Sequence, residues 1–173
     1  MKKVVKELPI FKYIEDPIEN EVIEKKDDNC ECCGENRGYL ITSRIYSTED
    51  IEFICPWCVS SGDACKKFDG FFNEVSSDSN LLKTFEDELA FKTPGVPMFQ
   101  EYLWPSHCGD GCQFQGSYDG EYDFEKIDKL YLKKFIEESG IEESDLEEYG
   151  QHFYIFKFQC LHCETLLLHF DPC

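Results

Sequence analysis

The spacing of cysteines constrains this chain more than any other feature. Cys30-x2-Cys33-Gly34 and Cys55-Pro56-Trp57-Cys58 form two pairs separated by residues 34–54. Two thiolates two residues apart can face inward from one turn, and a glycine after the second lets the backbone curl around the sulfurs. Two such turns at the ends of a hairpin complete the tetrahedron that zinc prefers, with zinc–sulfur bonds of about 2.3 Å. Cys30, Cys33, Cys55 and Cys58 are therefore expected to hold one Zn2+. Cys32 falls outside the two-residue spacing and is left out. A second quartet follows from Cys108-Gly109-Asp110-Gly111-Cys112 and Cys160-x2-Cys163. The first of these turns is looser, but its two glycines supply the backbone freedom. Cys108, Cys112, Cys160 and Cys163 are expected to hold a second Zn2+, with His107 and His162 as adjacent alternates read first as histidines beside the site. Cys65 reads as a small core residue and Cys173 as an exposed end.

Metal ligation is preferred to disulfides on three grounds. The cysteine count of 11 is odd. Disulfide-dense scaffolds are shorter secreted chains. Charge returns within Met1-Lys2-Lys3-Val4-Val5-Lys6-Glu7 before an apolar segment develops, so neither a signal peptide nor a membrane span is expected. The expected compartment is the reducing cytoplasm.

Charge excludes other classes. Lys and Arg number 17 against 36 Asp and Glu, a formal net charge of −19. Phosphate backbones and anionic membranes would be repelled, so nucleic acid and membrane surfaces are not expected ligands. A field of that sign steers a basic protein toward the chain. The acidic segment of Glu137, Glu138, Glu142, Glu143, Asp145, Glu147 and Glu148 is a candidate contact, weighed against an ordinary solvated helix face. Folding is not in doubt, because 42% of residues are hydrophobic and 15% aromatic.

Strands are predicted at 8–14, 38–46, 51–54 and 153–158, with a further extended piece around Val22-Ile23 and a hairpin partner at 166–170. Helices are predicted from about Ser60, carrying Ala64, Phe68 and Phe71 on one face; over 81–91, with Leu82, Phe85 and Leu89; over 124–139, with Ile127, Leu130, Tyr131 and Phe135; and over 142–149. Thr93-Pro94-Gly95-Val96-Pro97 is a breaker. The expectation is an α+β fold in which antiparallel β-hairpins bear two zinc-ribbon-like cysteine knuckles and pack against three or four helices. The chain is read as a single domain over 1–173, with lobes 1–92 and 93–173.

The chain resembles the CbrC family of bacterial proteins. The likeness is carried by Leu8-Pro9-Ile10-Phe11-Lys12-Tyr13, the first two cysteine pairs, Gly62-Asp63-Ala64 and Phe68-Asp69-Gly70-x-Phe72. It continues through Trp104-Pro105-x-His107-Cys108-Gly109-Asp110, Cys112-x-Phe114-x-Gly116 and Phe158-x-Cys160-Leu161-His162-Cys163. The family it resembles has no assigned enzymatic activity, and the resemblance implies an association with tolerance toward a colicin.

Four-thiolate sites are closed, whereas catalytic zinc keeps a position for water. The function expected is a non-catalytic, acidic, structural-zinc protein that binds a basic partner. Two enzymes are weighed against it. A thiol–disulfide oxidoreductase could use Cys55 and Cys58, but the knuckle at Cys30 and Cys33 has no place in that chemistry. A zinc hydrolase or deaminase needs a carboxylate beside its metal; His107, Cys108 and Asp110 are the nearest substitute for the usual signature.

Overall fold

The computed structural model describes residues 7–75, 83–98, 103–119, 129, 132–133, 136–137, 140, 142, 144 and 153–172. Its longest strands are β6 (Asp110–Asp119), β7 (Phe153–Cys160) and β8 (Leu166–Pro172). With the two-residue β5 (Ser106–His107) they form one antiparallel sheet in the order β5-β6-β7-β8. The aromatic run 153–158 and its predicted partner at 166–170 are this β7–β8 hairpin, each extended by two residues. Along β7 the pleat sends Phe156, Phe158 and Cys160 to one face and Ile155 to the other. The first face joins the main core. Phe114, Phe156 and Phe158 pack there, and Trp104 meets Phe158 edge to face at 5.4 Å between ring centroids. The second face is covered by Leu132 and Ile136, one helical turn apart. These two residues belong to the helix expected over 124–139; its other stripe residues, Ile127, Leu130, Tyr131 and Phe135, lie outside the described residues, as does most of 142–149.

The N-terminal part carries β1 (Ile23–Lys25) and β2 (Tyr39–Ile41), an antiparallel pair with Ile23 opposite Ile41. Two short helices follow, α1 (Pro56–Ser60) and α2 (Asp63–Phe68). Next come β3 (Glu74–Val75), α3 (Lys83–Lys92) and β4 (Leu103–Trp104). The pair β3–β4 is parallel, a departure from the all-antiparallel expectation. Helix α3 overlaps the helix expected over 81–91, with Phe85 and Leu89 buried, while Leu82 lies outside the described residues. It packs on β6 at Gly111, where a Cβ would come within 2.8 Å of Leu89 and 3.1 Å of Tyr13. One buried cluster runs through Phe11, Cys30, Cys55, Leu89, Cys112 and Cys160.

Three predicted strands are corrected. Residues 8–14 form a reverse turn, with the Ile14 amide bonded to the Phe11 carbonyl, and among the described residues their strand pairing is limited to an isolated bridge between Ile14 and Phe114. Phe11, Tyr13 and Ile14 are all buried, which no alternating strand allows. Residues 51–54 are extended but make no ladder. Ile54 accepts from the Ile41 amide, while the Glu31 carboxylate takes the amides of Glu52 and Phe53. The strand expected over 38–46 stops at Ile41; the Thr42 amide still bonds the Val22 carbonyl, but the Val22 amide is taken by Pro17, so the ladder goes no further. Likewise α2 ends at Phe68, capped by Asp69 at φ 45°, so Phe71 leaves the helix and forms an isolated bridge with Tyr46.

Candidate metal centres

One cysteine pair in each centre is built by the same backbone turn. At Cys30 the Gly34 amide bonds the Cys30 carbonyl (2.7 Å), and the Cys30 amide bonds the Glu35 carbonyl (3.0 Å). At Cys160 the Glu164 amide bonds the Cys160 carbonyl (3.0 Å), and the Cys160 amide bonds the Thr165 carbonyl (2.9 Å). Both turns need a left-handed residue after the second cysteine, supplied by Gly34 at φ 77° and by Glu164 at φ 59°. The two partner segments differ. Cys55 is the N-cap of α1, with Pro56 in its first turn, so Cys58 rides on a helix and not on a hairpin tip. Cys108 and Gly109 join β5 to β6, both at positive φ (53° and 75°), as a two-residue hairpin turn requires.

The first cluster gathers all four expected residues: Cys30, Cys33, Cys55 and Cys58. Cys30 and Cys58 sulfurs lie 3.9 Å apart, as do those of Cys33 and Cys55. A tetrahedral ion about 2.3 Å from each sulfur separates them by about 3.8 Å. The residues present therefore fit a tetrahedral metal ion, and Cys30, Cys55 and Cys58 are buried. The protonation pattern agrees. The Cys30 thiol is pulled down to about 4, chiefly by a hydrogen bond from Cys55, against its burial. Cys55 is pushed well up, first by that same bond to Cys30 and then by burial; Cys58 is pushed up by burial and by the Cys30 charge. One thiolate is thus nested among thiol donors, an anionic pocket in which a divalent cation can replace the protons.

The second cluster departs from expectation. The group within reach of one ion is His107, Cys108, Cys160 and Cys163; Cys112 is not part of it. His107 Nδ1 lies 3.2 Å from the Cys108 sulfur and 3.3 Å from that of Cys163, and those two sulfurs are 3.6 Å apart. Cys112 pairs across the sheet with Cys160 but sits two residues inside β6, fully buried, with its thiol pushed up to about 12 by burial. Its carbonyl accepts the Trp104 indole. The cluster sits where the two hairpin turns meet, and the turn residues reach it first. This centre is open to solvent at Cys108 and Cys163. Thr165, through its hydroxyl and its amide, draws the Cys163 thiol down to about 6; Cys108 is pushed up to about 11 by its hydrogen bond to Cys163.

Sequence reasoning missed the network behind this centre. Asp110 accepts hydrogen bonds from Tyr13 (2.7 Å), Lys12 (2.7 Å) and the Gly111 amide (2.9 Å), and His162 Nε2 lies 3.1 Å from it. Burial works against its charge, but these partners more than offset it and hold the carboxyl below its ordinary range. His162 is thereby directed to Asp110 and away from the sulfurs. Nothing in the sequence joins Lys12-Tyr13 to Asp110 across such a separation. Cys32 stands beside the first cluster without belonging to it. Cys65 is buried on α2, its thiol pushed up to about 12 by burial; Cys173 and His152 lie outside the described residues. All ten described cysteines are free of disulfides.

A family model described as "Uncharacterised protein family (UPF0167)" matches residues 8–172. A UPF0167 protein of Pseudomonas aeruginosa is 28% identical over 90% of this chain and 92% of its own. UPF0167 proteins of Mycobacterium bovis and Mycobacterium tuberculosis are each 32% identical over 63% of this chain and 60% of theirs. No solved structure matches. No helix among the described residues is long and apolar enough to cross a membrane.

Proposed function

The chain belongs to the uncharacterised protein family UPF0167, and from that premise we propose that it is a non-catalytic binding module held together by two zinc ions. The observation that carries this reading is the completeness of both clusters: each brings four protein donors within reach of one ion. Thiolate and imidazole in fours are the donor set of structural zinc, which leaves no position for water or substrate. Cys30, Cys33, Cys55 and Cys58 would hold one ion; His107, Cys108, Cys160 and Cys163 would hold the other. Bound zinc supplies folding free energy here, tying Cys30 to α1 in one place and two hairpin turns together in the other. Metal analysis of protein purified without chelator tests this. About two zinc per chain is expected, and a folded, metal-free chain would overturn it.

The partner in this proposal is a basic protein. The net charge of −19 supports it, and three or four thiolates around each divalent ion would leave both centres anionic. The likeness to the CbrC family extends the proposal to a toxin of the colicin kind, with the acidic module occupying a basic surface. Capture of basic bacterial toxins at rising salt is the test. Binding that does not weaken between about 50 and 500 mM salt would remove the electrostatic basis.

Two features weigh against the enzymatic alternatives. Cys55 does sit at a helix N-terminus, as redox cysteines do, yet it is fully buried and its thiol is pushed up, the reverse of an activated nucleophile. Asp110, the carboxylate the sequence offers beside the second centre, is committed to Lys12, Tyr13 and His162.

A further inference from the structure

Away from both centres, a cavity of about 380 Å³ opens between the chain leaving β2 and the segment after α3. That volume lies within the range of small-molecule sites. Its apolar lining includes Tyr46, Phe72, Val96 and Met98, and Arg44 and Glu74 bring opposite charges to the same space. The two do not pair with each other. Among the described residues Arg44 pairs with Asp50 alone, at 3.5 Å with both side chains largely exposed, and Glu74 makes no ion pair. The walls are preformed. Tyr46 and Phe71 exchange both backbone hydrogen bonds and stack at 5.2 Å. The Phe72 amide bonds Ala90, and the Asn73 side-chain amide bonds the carbonyls of Leu89 and Thr93. Gly95 closes the opposite side against Ser43, where a Cβ would come within 3.2 Å.

The overall field selects among occupants. A simple anion would be repelled by a net charge of −19. A simple cation would find Glu74 but would also meet Arg44 in the lining of the same cavity. A ligand carrying one charge of each sign and no net charge avoids both costs, and it can engage guanidinium and carboxylate together. An apolar side chain on the carbon that bears both charged groups matches the aromatic and aliphatic walls. We infer that this cavity binds a zwitterionic α-amino acid with an apolar side chain, its carboxylate on Arg44 and its ammonium on Glu74.

Isothermal titration of the full-length, metal-loaded protein tests the inference, using L-phenylalanine, L-leucine and L-methionine as probes. Saturable binding of at least one is expected. The amide of that amino acid, which lacks the carboxylate, and its N-acetyl derivative, which lacks the ammonium, should each bind at least about tenfold more weakly. Arg44→Gln and Glu74→Gln should weaken the parent ligand by a similar factor while near-ultraviolet circular dichroism and zinc content stay unchanged. Absence of saturable binding by all three amino acids would overturn the inference. So would an amide that binds as tightly as its parent, which would make this a cation site, or affinity unmoved in both variants.

Discussion

Glu164 holds a backbone conformation that suits glycine. Its counterpart in the first knuckle is Gly34, and a left-handed conformation costs a residue with a side chain about 1–2 kcal/mol. Glu164→Gly should therefore raise the denaturant midpoint of the metal-loaded protein by the equivalent of about 1 kcal/mol. An unchanged or lowered midpoint would place the strain elsewhere. The buried thiols outside the clusters make a second prediction at this scale. Burial pushes Cys65 and Cys112 up to about 12, from an ordinary value of 9.0. Groups raised on folding favour the folded state fully below their unfolded value, and that contribution disappears as pH climbs to the folded one. Stability should fall between about pH 9 and pH 12, and the fall should be shallower in Cys65→Ala and Cys112→Ala once their lower starting stabilities are subtracted. Urea midpoints across that range would measure it.

At the scale of elements, β6 does most to organise the molecule. Its start, Asp110, is bonded by Lys12 and Tyr13, its second residue receives α3, and its register shifts between Phe114 and Ser117 around Gly116 at φ 99°. Gly111→Ala would press a methyl into Leu89, Tyr13 and Phe85, with a cost of about 1–3 kcal/mol, the usual cost of overpacking. Chemical denaturation should show that loss, whereas Gly109→Ala, with open space around its Cβ position, should lose about 1 kcal/mol for its positive φ alone. Equal losses at the two sites would show that α3 does not press on the sheet there.

The whole molecule carries two centres of unlike exposure. Three sulfurs of the first are buried, whereas Cys108 and Cys163 of the second face solvent. Metal release under a chelator is thus expected in two phases, with the His107 centre emptying first and the Cys30 centre following only as the core opens. A colorimetric zinc indicator would resolve the phases, and Cys163→Ser should abolish the fast one alone. A single phase, or a fast phase surviving that substitution, would contradict the assignment.

Local spacing made the cysteine pairs legible from the sequence. Two or three residues between thiols define a turn whatever surrounds it, and the recurrence of four such groups points to two centres. Helix α3 and the β7–β8 hairpin were legible for the same reason, since their periodicity is a short-range property. Tertiary structure alone decided the rest. On spacing, Cys112 pairs with Cys108 and His107 reads as a histidine beside the site, yet the hairpin turn at Cys108-Gly109 brings His107 to the centre and leaves Cys112 in the core. Register between distant strands settles which of two nearby side chains arrives, and register depends on the whole sheet. The Asp110 network and the Arg44–Glu74 cavity were invisible for that reason too: their members meet only after the chain has closed.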